Sequence, residues 1–240
     1  MSQYQDVFKR YEKKYLLSEQ QYELFQRRLK KYMTADHYGQ TDICNIYFDT
    51  PNSYLIRSSL EKPVYKEKLR LRSYGIPKNS DTVFIELKKK YKGIVYKRRV
   101  DMTLKEATQY LYKKQQASYR SQIINEIDYF FSYYKDVQPR MYISYERIAF
   151  YGKEDPNLRI TFDKNILWRT QALNLEKGIW GSPLLEKGQR LLEIKIPSAM
   201  PLWMADSLDE LAIYPISFSK YGRAYETVSE QKRKGDVICA

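Results

Sequence analysis

The chain has 240 residues, with 42 Lys and Arg against 29 Asp and Glu, a formal charge of +13. Such an excess implies a polyanionic partner: nucleic acid, an acidic membrane surface or a phosphate compound. A 43% hydrophobic content that includes 24 Tyr excludes a disordered chain, and no run approaches the 18 apolar residues of a membrane span. Two cysteines, Cys44 and Cys239, and one histidine, His37, leave neither a disulfide framework nor a zinc site. Met1–Asp6 shows no basic start followed by an apolar core, so no signal peptide is expected and the reading is a soluble cytoplasmic protein.

In chain order, the first expected element is a strand over 7–17 with period-two character. Ser18 and Gln21 form a capping box that opens a helix running to about Tyr32. A strand over 44–49 stops at Thr50-Pro51-Asn52, and His37 falls in the loop before it, as a surface residue. Strands over 64–74, 82–91 and 94–103 follow, separated by turns at 75–79 and at Lys92-Gly93. Thr103 and Glu106 form a second capping box, so helices are expected over 104–116 and 121–134. Strands resume over 140–151, 158–164 and 191–197, a short helix fits 201–213, and a polar helix closes the chain. With no Gly- or Ser-rich linker, residues 1–240 read as a single α+β domain of about eight mainly antiparallel strands.

Residues i, i+2 and i+4 of a strand share a face. The first strand therefore gathers Arg10, Glu12 and Lys14 opposite Tyr11 and Tyr15, and the 64–74 strand gathers Lys66, Lys68, Arg70 and Arg72 opposite Leu69 and Leu71. Glu86 and Lys88 share a face, as do Lys97 and Arg99. Later strands add Arg147, then Arg159 with Thr161 and Asp163, then Glu193 with Lys195. A sheet with helices on one side and water on the other would give the same alternation. The abundance of Arg and Lys argues otherwise, because Arg70 and Arg72 repel one another unless an anion lies between them. Closing the sheet with its charged face inward gives a cation-lined barrel covered by helices on its apolar outside.

Eight segments in register resemble the catalytic domain of VTC-type polyphosphate polymerases, which belong to the triphosphate tunnel metalloenzymes together with CYTH-type triphosphatases and adenylate cyclases. They are Lys14-Tyr15-Leu16-Leu17, Ile46-Tyr47-Phe48-Asp49, 69–75, 84–88, 145–150, 158–160, 192–195 and Phe218-Ser219-Lys220-Tyr221. The resemblance implies a closed antiparallel β-barrel forming a basic tunnel that takes ATP and a triphosphate or polyphosphate chain with Mn²⁺ or Mg²⁺. It implies phosphate contacts from Lys14, Arg70, Arg72, Lys88, Lys97, Arg147, Arg159 and Lys220, with Lys14, Arg70, Arg72, Lys88 and Lys220 closest to catalysis. Glu193 would be the metal carboxylate, with Glu12 and Glu86 the next candidates. The family's Glu-x-Glu-x-Lys pattern reads Arg10-Tyr11-Glu12-Lys13-Lys14, which suits the polymerase branch better than a two-metal hydrolase.

The expected activity is γ-phosphoryl transfer from ATP to a growing polyphosphate chain. The alternatives are a triphosphatase or phosphate-binding module of the same fold, and a nucleic-acid-binding protein; against the latter, the basic residues lie beside carboxylates that would repel a nucleic-acid backbone. The Tyr129-Phe130-Phe131…Tyr133-Tyr134 cluster reads as packing of a helix on the sheet, and Lys89 as solvated. Lys232-Arg233-Lys234 offers a contact to an acidic membrane or partner.

Overall fold

The computed structural model describes residues 11–197 and 199–238, the side chains of 232 and 234–238 excepted. Arg10, Cys239, the start of the first expected strand and the side chains of Lys232 and Lys234 lie outside the described residues.

Strand β1 (Tyr11–Leu17) leads into helix α1 (Glu19–Tyr32) and strand β2 (Met33–Asp49). Helix α2 (Tyr54–Leu60) precedes three consecutive strands, β3 (Tyr65–Tyr74), β4 (Thr82–Tyr91) and β5 (Ile94–Thr103). Helices α3 (Leu104–Leu111) and α4 (Gln122–Tyr133) follow, then strands β6 (Gln138–Gly152), β7 (Arg159–Arg169), β8 (Ser182–Pro183) and β9 (Arg190–Ile196). The chain continues with α5 (Leu202–Glu210), β10 (Pro215–Ile216) and α6 (Lys220–Ile238). The strand order is β10-β1-β9-β7-β6-β2-β3-β4-β5, with β8 on β7. The architecture is thus α+β, a ten-stranded antiparallel sheet with six helices. Ten strands replace the expected eight because β8 and β10 have two residues each, too short to leave a pattern. Among the described residues the ladder ends at β10 and β5 without pairing them, so the barrel is not closed by hydrogen bonds.

The chain divides into two compact units. The first comprises the chain up to Asp42 with Tyr145–Ile166 and Leu185–Phe218. Its core joins Tyr15 and Leu17 of β1, Ile160 and Phe162 of β7 and Leu192, Ile194 and Ile196 of β9 to Tyr22, Phe25 and Leu29 of α1. Those α1 positions follow helical spacing, so one stripe of the helix lies on the sheet while Ser18 and Gln21 cap its start reciprocally. The register Lys14↔Glu193↔Thr161 sets the opposite, polar face.

The second unit holds Ile43–Ser144, Leu167–Leu184 and the chain from Ser219. Leu71↔Ile85↔Val100 and Leu69↔Leu87 form apolar rows across β3, β4 and β5, and α3 and α4 cover them with Leu104, Ala107, Leu111, Ile124, Ile127 and Phe130. The Thr103–Glu106 capping box starts α3 as expected.

Two local expectations change. Helix α2 was not read because its start is fixed from outside: Asp49 accepts the Leu55 and Ile56 amides at 2.9 and 3.0 Å, and Ser53 takes a left-handed φ of 57°. Strand β2 begins at Met33, eleven residues before the apolar run, so His37 lies on a strand, with its side chain exposed. Among the described residues no helix is long and apolar enough to cross a membrane.

Candidate functional site

The polar face of the second unit is organised by one carboxylate. Register places Tyr47, Arg70, Glu86 and Arg99 in a row across β2, β3, β4 and β5, so their side chains emerge on one face. Glu86 is 1% exposed. Its Oε2 accepts from Arg70 Nε at 2.6 Å and lies 2.6 Å from Arg70 Nη2 and 3.8 Å from Arg72 Nη1. Its Oε1 takes Arg99 Nε at 2.8 Å, Arg99 Nη2 at 2.6 Å and Lys97 Nζ at 2.8 Å. Four cations around one anion leave a local excess of about three positive charges on a rigid platform. Burial alone would raise the Glu86 carboxyl, but Arg70, Arg72 and Lys97 outweigh it and hold it far below the usual carboxylate range. Burial lowers the Lys97 ammonium to about 8 even with Glu86 beside it.

The arginine forks are also fixed from their far sides. Arg72 Nε donates to Asn45 Oδ1 at 2.9 Å, and Asn45 Nδ2 donates to the Ile143 carbonyl at 2.9 Å. Arg70 Nη1 donates to the Tyr47 hydroxyl at 3.2 Å. Burial would raise the Tyr47 phenol, yet Arg70, Arg72 and Lys220 bring it below its ordinary value. Tyr47 stacks on Tyr221 with centroids 4.7 Å apart, and Tyr221 donates to Asp49 at 2.9 Å. Lys220, 9% exposed, opens α6 beside these rings, and Lys68 Nζ reaches Ser219 Oγ at 3.2 Å. Register places Lys68, Lys88 and Lys97 in one row, with Lys88 exposed.

The first unit builds a second cluster. Arg147 Nε and Nη2 hold the two oxygens of fully buried Asp163 at 2.6 and 2.7 Å, a bidentate pair. Arg147 Nη2 lies 3.7 Å from Glu193. Burial would lower the guanidinium, but Tyr145, Asp163 and Glu193 raise it well above its usual value. Lys14 Nζ donates to the Phe218 carbonyl at 2.9 Å and sits 3.3 Å from Glu12 and 3.7 Å from Glu193. Arg159 is exposed, opposite Lys195, which in turn faces Glu12.

Among the described residues no group of three or more His, Cys, Asp or Glu is gathered to hold a metal ion. The first-unit cluster nevertheless fits a magnesium-like ion, which protein chains hold through one or two carboxylates while phosphate and water supply the remaining oxygens. Glu12 and Glu193 flank one ammonium, and the buried Thr161 Oγ1, cross-strand from Glu193, has no protein hydrogen-bond partner and remains available to a bound oxygen. An ion on Glu86 would have to displace four cations.

The sequence-derived residues therefore fall into two groups. Arg70, Arg72, Lys97 and Glu86 meet directly, with Lys88 and Lys220 beside them; Lys14, Arg147, Glu12 and Glu193 meet in the other unit, with Arg159 at the exposed edge. Arg99, Asp163, Asn45 and Tyr47 were not counted as site residues. Face parity signalled Arg99 and Asp163, whereas Asn45 and Tyr47 needed the β2–β3 register. Lys89 faces away from its neighbours as expected, but it is paired, at 3.0 Å from Glu126.

A protein from Bacillus halodurans described as a candidate adenylate cyclase matches the chain with a TM-score of 0.54 and 13% identity, covering 87% of this chain and 92% of its own. A candidate adenylyl cyclase from Hippeastrum, described as having a dominant triphosphatase activity, matches with a TM-score of 0.52 and 15% identity over 88% and 92% of the two chains. At these identities the likeness is one of fold. No curated protein matches the chain. The family model for the VTC domain covers residues 9–229, nearly the whole sequence, and the chain belongs to the VTC domain family.

Proposed function

We propose that the chain is a metal-dependent, cytoplasmic polyphosphate polymerase that moves the γ-phosphoryl group of ATP onto the terminal oxygen of a phosphate chain. The bond from the γ-phosphorus to the ADP oxygen breaks, a bond to the chain's terminal oxygen forms, and ADP leaves. The observation that carries this reading is the carboxylate of Glu86 held by Arg70, Arg72, Lys97 and Arg99. Phosphoryl transfer asks for alignment and charge neutralisation more than covalent chemistry, and a prearranged cationic platform supplies both.

In this proposal Arg70 and Arg72 present planar forks to phosphate oxygens, and Glu86, Asn45 and Tyr47 hold those forks in place before substrate arrives. Lys14, Lys88, Lys97 and Lys220 act as point charges, and Arg147 and Arg159 extend the contacts along the chain. Glu193, with Glu12, would hold Mn²⁺ or Mg²⁺, which would supply positive charge to offset the charge developing on the phosphates. A single catalytic domain over residues 1–240, closed into a cation-lined tunnel, belongs to the same proposal.

The second reading is a triphosphatase, favoured by the activity described for the Hippeastrum protein. Incubation with ATP and either Mn²⁺ or Mg²⁺, with polyphosphate, ADP and free phosphate measured separately, tests both. ADP and acid-labile chains rising in step support the polymerase. Free phosphate accounting for all ATP consumed supports the triphosphatase, and no turnover with either metal overturns both.

A further inference from the structure

On the opposite face of β3 from Arg70 and Arg72, Glu67 is 8% exposed and faces helix α4 rather than the cationic platform. A carboxylate so deeply buried is rare unless it is paired or strongly hydrogen-bonded. Glu67 accepts from the Tyr65 hydroxyl and from the Tyr134 hydroxyl. Burial and the Glu67 charge raise both phenols above their ordinary values, so both remain neutral donors. The nearest cation, Lys89 Nζ, is 4.0 Å away and lies closer, at 3.0 Å, to Glu126, which Arg98 also contacts at 3.3 Å.

In front of Glu67 lies a cavity of about 340 Å³ with walls rich in tyrosine: Tyr54, Tyr65, Tyr129, Tyr133 and Tyr134. Tyr129 and Tyr133 stack at 6.1 Å, Tyr133 meets Tyr134 edge-on at 4.8 Å, and Tyr54 lies 6.3 Å from Tyr134. Phe130 packs behind them, 1% exposed, and this much of α4 is helix-on-sheet packing. Tyr129 and Tyr133, by contrast, are 67% and 65% exposed. A second compartment of about 580 Å³ shares Tyr54, Tyr133 and Tyr134 and adds Lys135 and Asp136, a cation beside an anion. Both compartments lie within the second unit.

Ring faces are negative at their centres and attract cations, most strongly where water is excluded. A buried carboxylate at the base of such a pocket adds a full charge and a hydrogen-bond acceptor. An anion would meet Glu67 and neutral phenols, and Lys66, which lines the cavity beside Glu67, turns its ammonium to the Ser59 carbonyl at 3.1 Å. We propose that this tyrosine-walled cavity binds an alkylammonium group, with the ammonium on Glu67 and the alkyl chain running between the rings toward Asp136. A linear polyamine and a lysine side chain of a basic peptide share that chemistry.

Calorimetric titration of the full chain, free of phosphate compounds, with spermidine, with a peptide blocked at its N-terminus and carrying free lysine side chains, and with tetramethylammonium tests it and separates the sources. Binding of spermidine alone assigns a polyamine, binding of the peptide alone assigns a protein partner, and tetramethylammonium reports on the rings without a donor. Tyr133→Ala should weaken the ligand that binds by about fivefold and Tyr133→Phe should leave it nearly unchanged, because the ring face carries the attraction. Glu67→Gln should weaken it by more than tenfold, while Tyr133→Ala leaves turnover of ATP unaltered. If none of the three binds at millimolar concentration, or if binding is equal in wild type, Glu67→Gln and Tyr133→Ala, the proposal is wrong.

Discussion

Removing the charge of Glu86 is the perturbation whose size can be worked most directly from the structure. Glu86→Gln keeps the shape and leaves Arg70, Arg72, Lys97 and Arg99 facing one another without their common anion. Deleting one partner of a buried ion pair costs about 3–5 kcal/mol, because the remaining charge stays desolvated. Arg72 and Arg70 carry most of that cost, with side-chain exposures of 7% and 23% against 49% for Lys97, which water can solvate. At about 2–4 °C per kcal/mol for a chain of this size, the melting temperature should fall by roughly 6–20 °C. The loss should shrink as salt rises, since the repulsion is between partly exposed cations. Because the folded carboxyl titrates far below its unfolded value of about 4.3, the stabilisation is complete at pH 7 and at pH 5.5 and fades only as pH falls below about 4. Differential scanning calorimetry of both proteins at these pH values and at two salt concentrations is the assay. A shift below about 2 °C at low salt, or a loss that vanishes already at pH 5.5, would refute the reasoning.

Lys97 predicts a proton linkage. Its folded value of about 8 lies below the unfolded value of about 10.4, so the charged form burdens the fold below pH 8 and the burden lifts as pH rises. A phosphate anion should restore the charged form; binding at pH 8.5 should therefore take up a proton, seen as buffer-dependent heat and absent in Lys97→Arg. Glu193→Gln should abolish metal-dependent turnover and leave phosphate-chain binding within about threefold of wild type, measured by activity and calorimetry together. Arg169, 4% exposed, ties the 171–180 loop by donating to the carbonyls of Gln171, Ala172, Asn174, Gly178 and Trp180 and stacks on Tyr142 at 3.5 Å. Arg169→Lys cannot reproduce that fork and should destabilise the protein by about 2–3 kcal/mol in denaturant unfolding.

The sequence carried the local structure well where its signals are local. Strands β4 and β5 have the expected bounds, and both capping boxes sit where Ser18–Gln21 and Thr103–Glu106 placed them. Face parity correctly put Leu69 and Leu71 in the core, opposite Arg70 and Arg72. Parity does not say which strand lies beside which. The anion required by Arg70 and Arg72 proved to include the protein's own Glu86, visible only once β3 and β4 are in register. The Arg147–Asp163 pair was hidden for the same reason. Helix α2 and the early part of β2 depend on Asp49 and on sheet pairing, so composition gave them no voice. The tyrosines of α4 were half legible: Phe130 packs as helical spacing demands, while Tyr129 and Tyr133 point away from the core.

Thermal melting with tripolyphosphate measures the central claim, that the cationic platform is a phosphate-binding site. At about 100 times its dissociation constant, a ligand that binds only the folded chain adds about 2.7 kcal/mol, a rise of roughly 5–11 °C here. The account predicts that rise for the wild type at millimolar tripolyphosphate, a much smaller one for Arg72→Ala, and none for sodium chloride at equal ionic strength. An equal response to tripolyphosphate and to sodium chloride, or one that Arg72→Ala leaves intact, would contradict it.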